Sequence, residues 1–450
     1  MQDGTTRRWS WSQLRYSAPV IALLAVFALH GEAFSTEHAQ DPDDEDVTFT
    51  KDVARILQEN CQVCHQPGSI GPMALMTYDQ VRPWGAVIKD RVVHREMPPY
   101  QYDTDVGVQD LKYDPRMSDE EIQAIVAWVD SGMPMGDPAD MPPPAVWPDP
   151  SEFRLAERFG RAPDVIVTST PYDVPGIGQD RWWQPTVETG ITEDRCIMAI
   201  ETKPAVAARM VTHHANSYFS VNGRQAAMLS EFAIGKIGEI VPEDACRTAP
   251  ANSQVSWDIH YWPNGEDIDD AVVQIGIWFY PAEREVETYR QDLTLYMLSG
   301  GVGGRGYDIA PHGTLMTQGF RSFNTPVRID SFQPHGHTRL VAMSLQILRA
   351  NGRLEMVSMV SNWNALWHHS HIYQDHASPL LAVGDQLVLT GWYDNTANNR
   401  YNPDPDQWVS IGDRTADEMS HAWLAVTHLD QEGYEEILAE RQAQTTPTTD

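Results

Sequence analysis

Residues 136–151, GDPADMPPPAVWPDPS, hold six prolines and three aspartates. Proline fixes φ and donates no backbone hydrogen bond, so neither a helix interior nor a central strand can run through this stretch. It predicts a linker, and the hydrophobic period changes across it. Upstream, Val53, Ile56 and Leu57 lead into Cys61 and Cys64 along one helical face, and Ser118 with Glu121 forms a capping box ahead of Ile122, Ile125, Val126 and Val129. Downstream, apolar residues come in short runs bounded by turn residues, as in 271–280 (AVVQIGIWFY), 341–348 and 386–393, the pattern of strands. No strand is followed regularly by a long amphipathic helix, which argues for antiparallel sandwiches over βαβ units. A chain of 450 residues also exceeds one compact core. The expected fold is multidomain: a small all-α domain at 46–135, the linker at 136–151, antiparallel β-sandwiches at 152–285 and 286–430, and a tail at 431–450 that begins helix-like and ends rich in Thr and Pro.

Residues 1–40 read as a signal peptide, with Arg7 and Arg8 as a basic start and the run from Ala18 to Leu29 apolar and uncharged. Twelve such residues are too few to span a bilayer. The paired arginines before Trp9 leave the twin-arginine route open beside the general one. Either route predicts a periplasmic or secreted protein, with no stable membrane insertion once the signal is removed. The formal charge of −31 repels phosphate backbones, so nucleic acid is not an expected partner.

Four cysteines occur. Cys61 and Cys64 stand in C-x-x-C-H, which leaves Cys196 and Cys246 to form a single disulfide in an oxidising compartment. The same arithmetic removes blue-copper and binuclear purple sites, which need a thiolate, so any copper must be held mainly by His and Met.

Two thiols three residues apart on a helical turn can each add to a haem vinyl group, and a histidine immediately after them is placed to ligate the iron. Cys61, Cys64 and His65 therefore predict one covalently bound haem c. Met97, in R-E-M-P-P-Y, is the expected distal ligand, and thioether ligation would raise the reduction potential; His94 is its rival. Met73, Met76, Met117, Met133 and Met135 lack the Met-Pro-Pro context. Over about 90 residues this segment resembles the small c-type cytochromes in which a Met-Pro-Pro loop supplies the distal ligand.

After the linker the histidines fall in groups: His213 and His214 in T-H-H-A-N, His260 in D-I-H-Y-W, His335 and His337 in P-H-G-H-T, and His368, His369 and His371 in W-H-H-S-H. Imidazole is the usual copper ligand, and a neighbouring thioether favours Cu(I). His335 and His337 would project from one face of a strand, whereas His213 and His214 need an irregular backbone or ring rotation to share an ion.

In this order, ending with D-E-M at Met419, the groups resemble the type II copper, ascorbate-dependent monooxygenases, peptidylglycine α-hydroxylating and dopamine β-monooxygenase among them. The resemblance implies two jelly-roll sandwiches carrying two copper ions. An electron-transfer copper would take His213, His214 and His260, and an oxygen-activating, catalytic copper would take His335, His337 and Met419. It maps no ligand onto His368, His369 or His371, which are expected to line the pocket or hydrogen-bond the ligands. Where peptidylglycine enzymes carry an arginine ahead of the H-x-H this chain has Gln333, and Trp423 stands where they carry a tyrosine. Both differences argue against a C-terminal glycine peptide as substrate. Trp367, Trp392, Tyr393 and Trp423 hint at an apolar pocket near the last ligand.

The implied activity is hydroxylation of an aliphatic or benzylic C–H bond of a small organic substrate by O₂, with one oxygen atom going to water. Electrons would be relayed through the haem from an external donor, an ascorbate-like reductant or a redox protein. Two other classes remain open: a haem and copper electron-transfer or copper-binding protein without oxygenase activity, and a haem sensor on a sandwich scaffold.

Overall fold

The computed structural model describes residues 47–445 apart from 68, 70, 148, 150, 234, 235, 237, 283–288 and 298–307. The signal-peptide reading of 1–40 lies outside the described residues.

The expected class is corrected here: the chain is mostly β, with short helices and no sizeable all-α domain. Among the upstream helices, Ala54–Asn60 and Gly85–Val93 are short, and Asp119–Asp130 is the longest at 12 residues. Asp119–Asp130 begins on the predicted capping box, Ser118 accepting from the Glu121 backbone N–H while the Glu121 side chain reaches back. These helices close over Phe49, Leu57, Val81, Ile125 and Trp128. Between the last two helices, however, the chain is extended. Leu111–Lys112 pairs with His371–Tyr373, and the Asp103 and Val108 N–H groups donate to the carbonyls of Met359 and Val357. Tyr102 and Leu111 are buried in the same core as Phe332, Leu345 and Tyr393. The apolar surface of 100–112 is thus spent on the β-structure, and the chain from Val47 onward is one compact unit.

In the first β-half, a sheet built on Thr212–Val221, Arg224–Ala233 and Gln254–Tyr261 encloses Phe219, Trp257, Ile259 and Ile275 against Arg195–Pro204 and Val273–Phe279. In the second, Thr314–Ser322, Gln386–Asp394, Leu340–Leu348 and Leu354–Val360 face Val327–His335 and His421–His428. The two halves share a sheet. Ala245–Ala249 pairs in parallel with Tyr289–Met297, Ala245 opposite Tyr289, so that among the described residues eleven strands run from one half into the other. A buried polar chain crosses the same seam. Glu239 takes Lys236 at 2.8 Å and Arg247 at 2.7 Å, Arg247 Nη2 donates to Gln291 at 2.9 Å, and Gln291 to Asp330 at 2.6 Å. Arg328 then joins Asp330 to Asp244, each at 2.6 Å. Burial pushes the Glu239 carboxyl up, but its two cations win and hold it down at about 2.

Cys196 and Cys246 form the expected disulfide, with Cα atoms 5.0 Å apart. Among the described residues no helix is long and apolar enough to cross a membrane.

Candidate metal centre

The difficulty of aiming two adjacent histidines at one ion is met by a bulge. On the paired strands His260 faces His214, but the next partner of Tyr261 is Thr212, which leaves His213 as the extra residue. The local kink turns both rings towards His260. The ring centroids stand 5.4, 5.1 and 5.0 Å apart for the pairs 213–214, 213–260 and 214–260. One ring nitrogen from each of the three lies within 4.8 Å of the others.

His213 Nδ1 and His260 Nδ1 face each other at 3.3 Å. Two nitrogens bound at about 2.0 Å to one tetrahedral ion would be separated by about 3.3 Å. His214 Nδ1 is buried without a hydrogen-bond partner. Burial and the neighbouring rings depress His213 to about 3 and His214 well below its ordinary value, so all three rings favour the neutral, ligating form; burial lowers His260 too, against Asp180. Asp180 Oδ2 lies 3.1 Å from His260 Nε2, and Trp182 stacks on the His260 ring at 4.5 Å. A carboxylate behind a ring whose other nitrogen faces the ion fixes its orientation. The residues present fit a copper ion here.

A second group adjoins the first. His335 ends its strand opposite His421, the rings stacked at 4.5 Å. His368 stands 4.6 Å from His335 and 5.8 and 6.0 Å from His213 and His214, centroid to centroid. Glu231 arrives from the strand Arg224–Ala233 of the first half, and Glu231, His335 and His368 bring one donor atom each within 4.8 Å. Burial and the surrounding rings lower His335 well below its ordinary value; burial takes His337 to about 4 and His421 to about 3.

His337 lies 5.7 Å from His335, and its Nδ1 is 3.3 Å from the Asp417 carbonyl. What positions this H-G-H turn is Glu418. Its carboxylate accepts from four backbone N–H groups: His337 and Met419 on Oε1, and Arg339 and Leu340 on Oε2. Burial pushes Glu418 up to about 7 against the pull of those four donors. Trp363 Nε1 donates to the His337 carbonyl at 3.1 Å. Met419 is held by its backbone beside the turn, its N–H on Glu418 and its carbonyl accepting from the Tyr393 hydroxyl at 3.3 Å.

The sequence pattern thus located His213, His214 and His260 as a group and His335 and His337 as neighbours. It did not find Glu231 or His421, and it gave His368 a place in the pocket but no ligand role. His368 was visible in W-H-H-S-H, whereas a lone glutamate in S-E-F carries no signal. Gln333 has its amide in use: Nε2 donates to Glu231, and Oε1 accepts from Lys236 at 3.1 Å and Ser370 at 2.7 Å. Trp423 packs with Met228, Leu293 and Ala425 as core.

At the other motif, Cys61 and Cys64 are free thiols on the turn after Ala54–Asn60, and burial pushes the Cys61 thiol up to about 12. His65 Nδ1 is 3.1 Å from the Met73 carbonyl. With its proton on Nδ1 the ring keeps Nε2 for iron, so these three residues fit a covalently held haem. A Cβ on Gly71 would come 2.7 Å from His65 Nδ1 and 2.6 Å from the Cys64 carbonyl. Met97 is half-buried, whereas His94 is exposed and turns Nδ1 back to the Asp90 carbonyl at 2.8 Å. The Met97 loop is tied to the second β-half: Glu96 bridges Arg91 and Arg400, and Gln101 donates to the Asn364 carbonyl at 2.8 Å. The Tyr100 and Tyr102 rings then meet buried His371 at 5.6 and 4.6 Å.

No family model matches the chain, and no curated protein does. Solved structures align with the chain weakly, three of them as follows. The CBM22 tandem domain of Paenibacillus barcinonensis Xyn10C has 11% identity over 60% of this chain and 98% of its own, TM-score 0.16. The infectious bursal disease virus VP2 subviral particle has 11% identity over 66% and 76%, TM-score 0.16. Bacillus subtilis oxalate decarboxylase has 6% identity over 59% and 82%, TM-score 0.12. Scores this low carry no argument about fold or function.

Proposed function

We propose that the chain is an exported copper-dependent monooxygenase that hydroxylates a C–H bond of a small organic substrate with O₂ and draws electrons through a covalently bound haem. The observation that supports this best is the convergence of His213, His214 and His260 beside a second histidine group around His335. His213, His214 and His260 would hold one copper, and the His335 group the other. Bound there, copper supplies one-electron redox chemistry and oxygen activation, and haem on Cys61, Cys64 and His65, with Met97 as distal ligand, supplies electron entry.

The protein's own part is positional. Burial keeps the imidazoles neutral, Asp180 and Trp182 orient His260, and Glu418 fixes the H-x-H turn. His371, between Tyr100 and Tyr102 on one side and Phe332 at 5.9 Å on the other, puts aromatic rings between the Met97 loop and the His335 strand. Export is supported by the N-terminal sequence and the disulfide. Gln333 carries no charge and its Nε2 already donates to Glu231, so it is a poor counterpart for a substrate carboxylate, which supports a substrate other than a C-terminal glycine peptide.

The test is haem and copper analysis of protein matured in a periplasm, followed by oxygen uptake over a panel of small organic substrates. One haem, two coppers and substrate-dependent uptake are expected; protein without copper under copper-replete conditions refutes the reading. The close burial of His335, His368 and Glu231, at 4, 3 and 2% exposure, favours a second reading, an electron-transfer protein that never admits a substrate. That reading predicts bound copper with no substrate-dependent uptake.

A further inference from the structure

We propose that Glu231, His335 and His368 form a metal site of their own, a two-imidazole, one-carboxylate set for a divalent first-row metal ion. The three side chains come from separate parts of the fold: Glu231 from a strand of the first half, His335 from a strand of the second, and His368 from the segment that precedes His371–Tyr373. All three are more than nine-tenths buried, yet one donor atom of each lies within 4.8 Å of the others.

Their polar atoms are not satisfied by one another. His335 Nδ1 has no hydrogen-bond partner, and His368 Nδ1 stands 3.7 Å from Glu231 Oε1, beyond hydrogen-bond reach. Leaving such groups buried and unpaired costs about 1–3 kcal/mol each, more for a charge. The nearest ammonium, Lys236, is engaged with Glu239 and Gln333. A closer approach of His368 to Glu231 would still leave His335 Nδ1 without a partner. A single cation among the three would take one donor atom from each side chain.

Two imidazoles and one carboxylate leave coordination positions open, and among divalent ions such a set binds copper(II) most tightly. Gln333 donates to the other oxygen of Glu231 and so holds the carboxylate towards the rings, as outer hydrogen bonds do for metal-binding carboxylates. His337 is not among the residues whose donor atoms converge with Glu231 and His335.

This deepens the reading above, on which it rests only for the second ion's role, by replacing the His337 and Met419 ligands with His368 and Glu231. The test counts ions and is independent of turnover. Full-length haem-loaded protein is stripped with chelator, dialysed against Cu(II) alone, and measured by mass spectrometry and electron paramagnetic resonance. Two coppers per chain are expected in the unmodified protein, one each in Glu231→Gln and His368→Ala, with the signal of the His213 group unchanged, and two in Met419→Leu. His368→Ala serves as an independent arm should Glu231→Gln fold poorly. Two coppers retained in both variants overturn the proposal, as does loss of one in Met419→Leu with none lost in Glu231→Gln. In either case the two-copper reading survives. No copper in the unmodified protein overturns both.

Discussion

Replacing Glu418 with glutamine isolates the clamp on the H-x-H turn. The side chain is fully buried, and its two oxygens accept two backbone N–H groups each, from His337 and Met419 and from Arg339 and Leu340. Glutamine keeps the shape but exchanges one oxygen for an NH₂, so in either orientation two N–H donors meet a third donor. Two unpaired buried donors at about 1–3 kcal/mol each cost ~2–6 kcal/mol. With an unfolding entropy of about 2.1 cal/mol/K per residue over roughly 400 residues, that lowers the melting temperature by ~2–7 °C. The assay is calorimetry of the copper-free protein at two pH values. The Glu418 carboxyl is pushed up to about 7, so below that pH the unmodified protein already carries a proton on one oxygen. The gap between variant and parent should therefore be wide at pH 8 and narrower at pH 6. A variant that melts within 1 °C of its parent at pH 8, with unchanged copper uptake, would refute the clamp.

Reducing the bond between Cys196 and Cys246, which closes a loop of 50 residues, should cost about 4 kcal/mol by loop entropy, read from denaturant unfolding with and without reductant. His213, His337, His371 and His421 are depressed to about 3, 4, 3 and 3. The unfolded chain thus binds more protons below about pH 6.5, and the copper-free protein should lose stability steadily from pH 7 towards pH 4, with Glu418 opposing in its upper part. A melting temperature that holds or rises over that range contradicts this. Gly71→Ala places a methyl against His65 Nδ1 and the Cys64 carbonyl, so covalent haem should fall severalfold by pyridine haemochrome while the copper count stays the same.

The strands and the capping box could be read locally because each depends on its own period. The run at 271–280 is the strand Val273–Phe279, and Ser118 caps its helix. The helical domain could not, because what decides 100–112 is distant: Tyr102 and Leu111 bury themselves among Phe332 and Tyr393, over two hundred positions away. The bulge at His213 depends on the register of a partner strand that the motif T-H-H-A-N does not contain. Glu231 escaped for a related reason. It sits in a run of buried residues, Leu229 to Phe232 being largely enclosed, where alternation gives no face to a carboxylate and only tertiary packing reveals His335 and His368 opposite.

The parallel pairing of Ala245–Ala249 with Tyr289–Met297 bears on whether either half can stand alone. Severed between these strands, the first half would carry a bare strand edge with Arg247 parted from Gln291, and the second half a matching edge with Arg328 parted from Asp244. Unpaired edges of this kind invite aggregation. Glu231 would also be parted from His335. Each half thus depends on the other to cover its edge and to complete the group around His335.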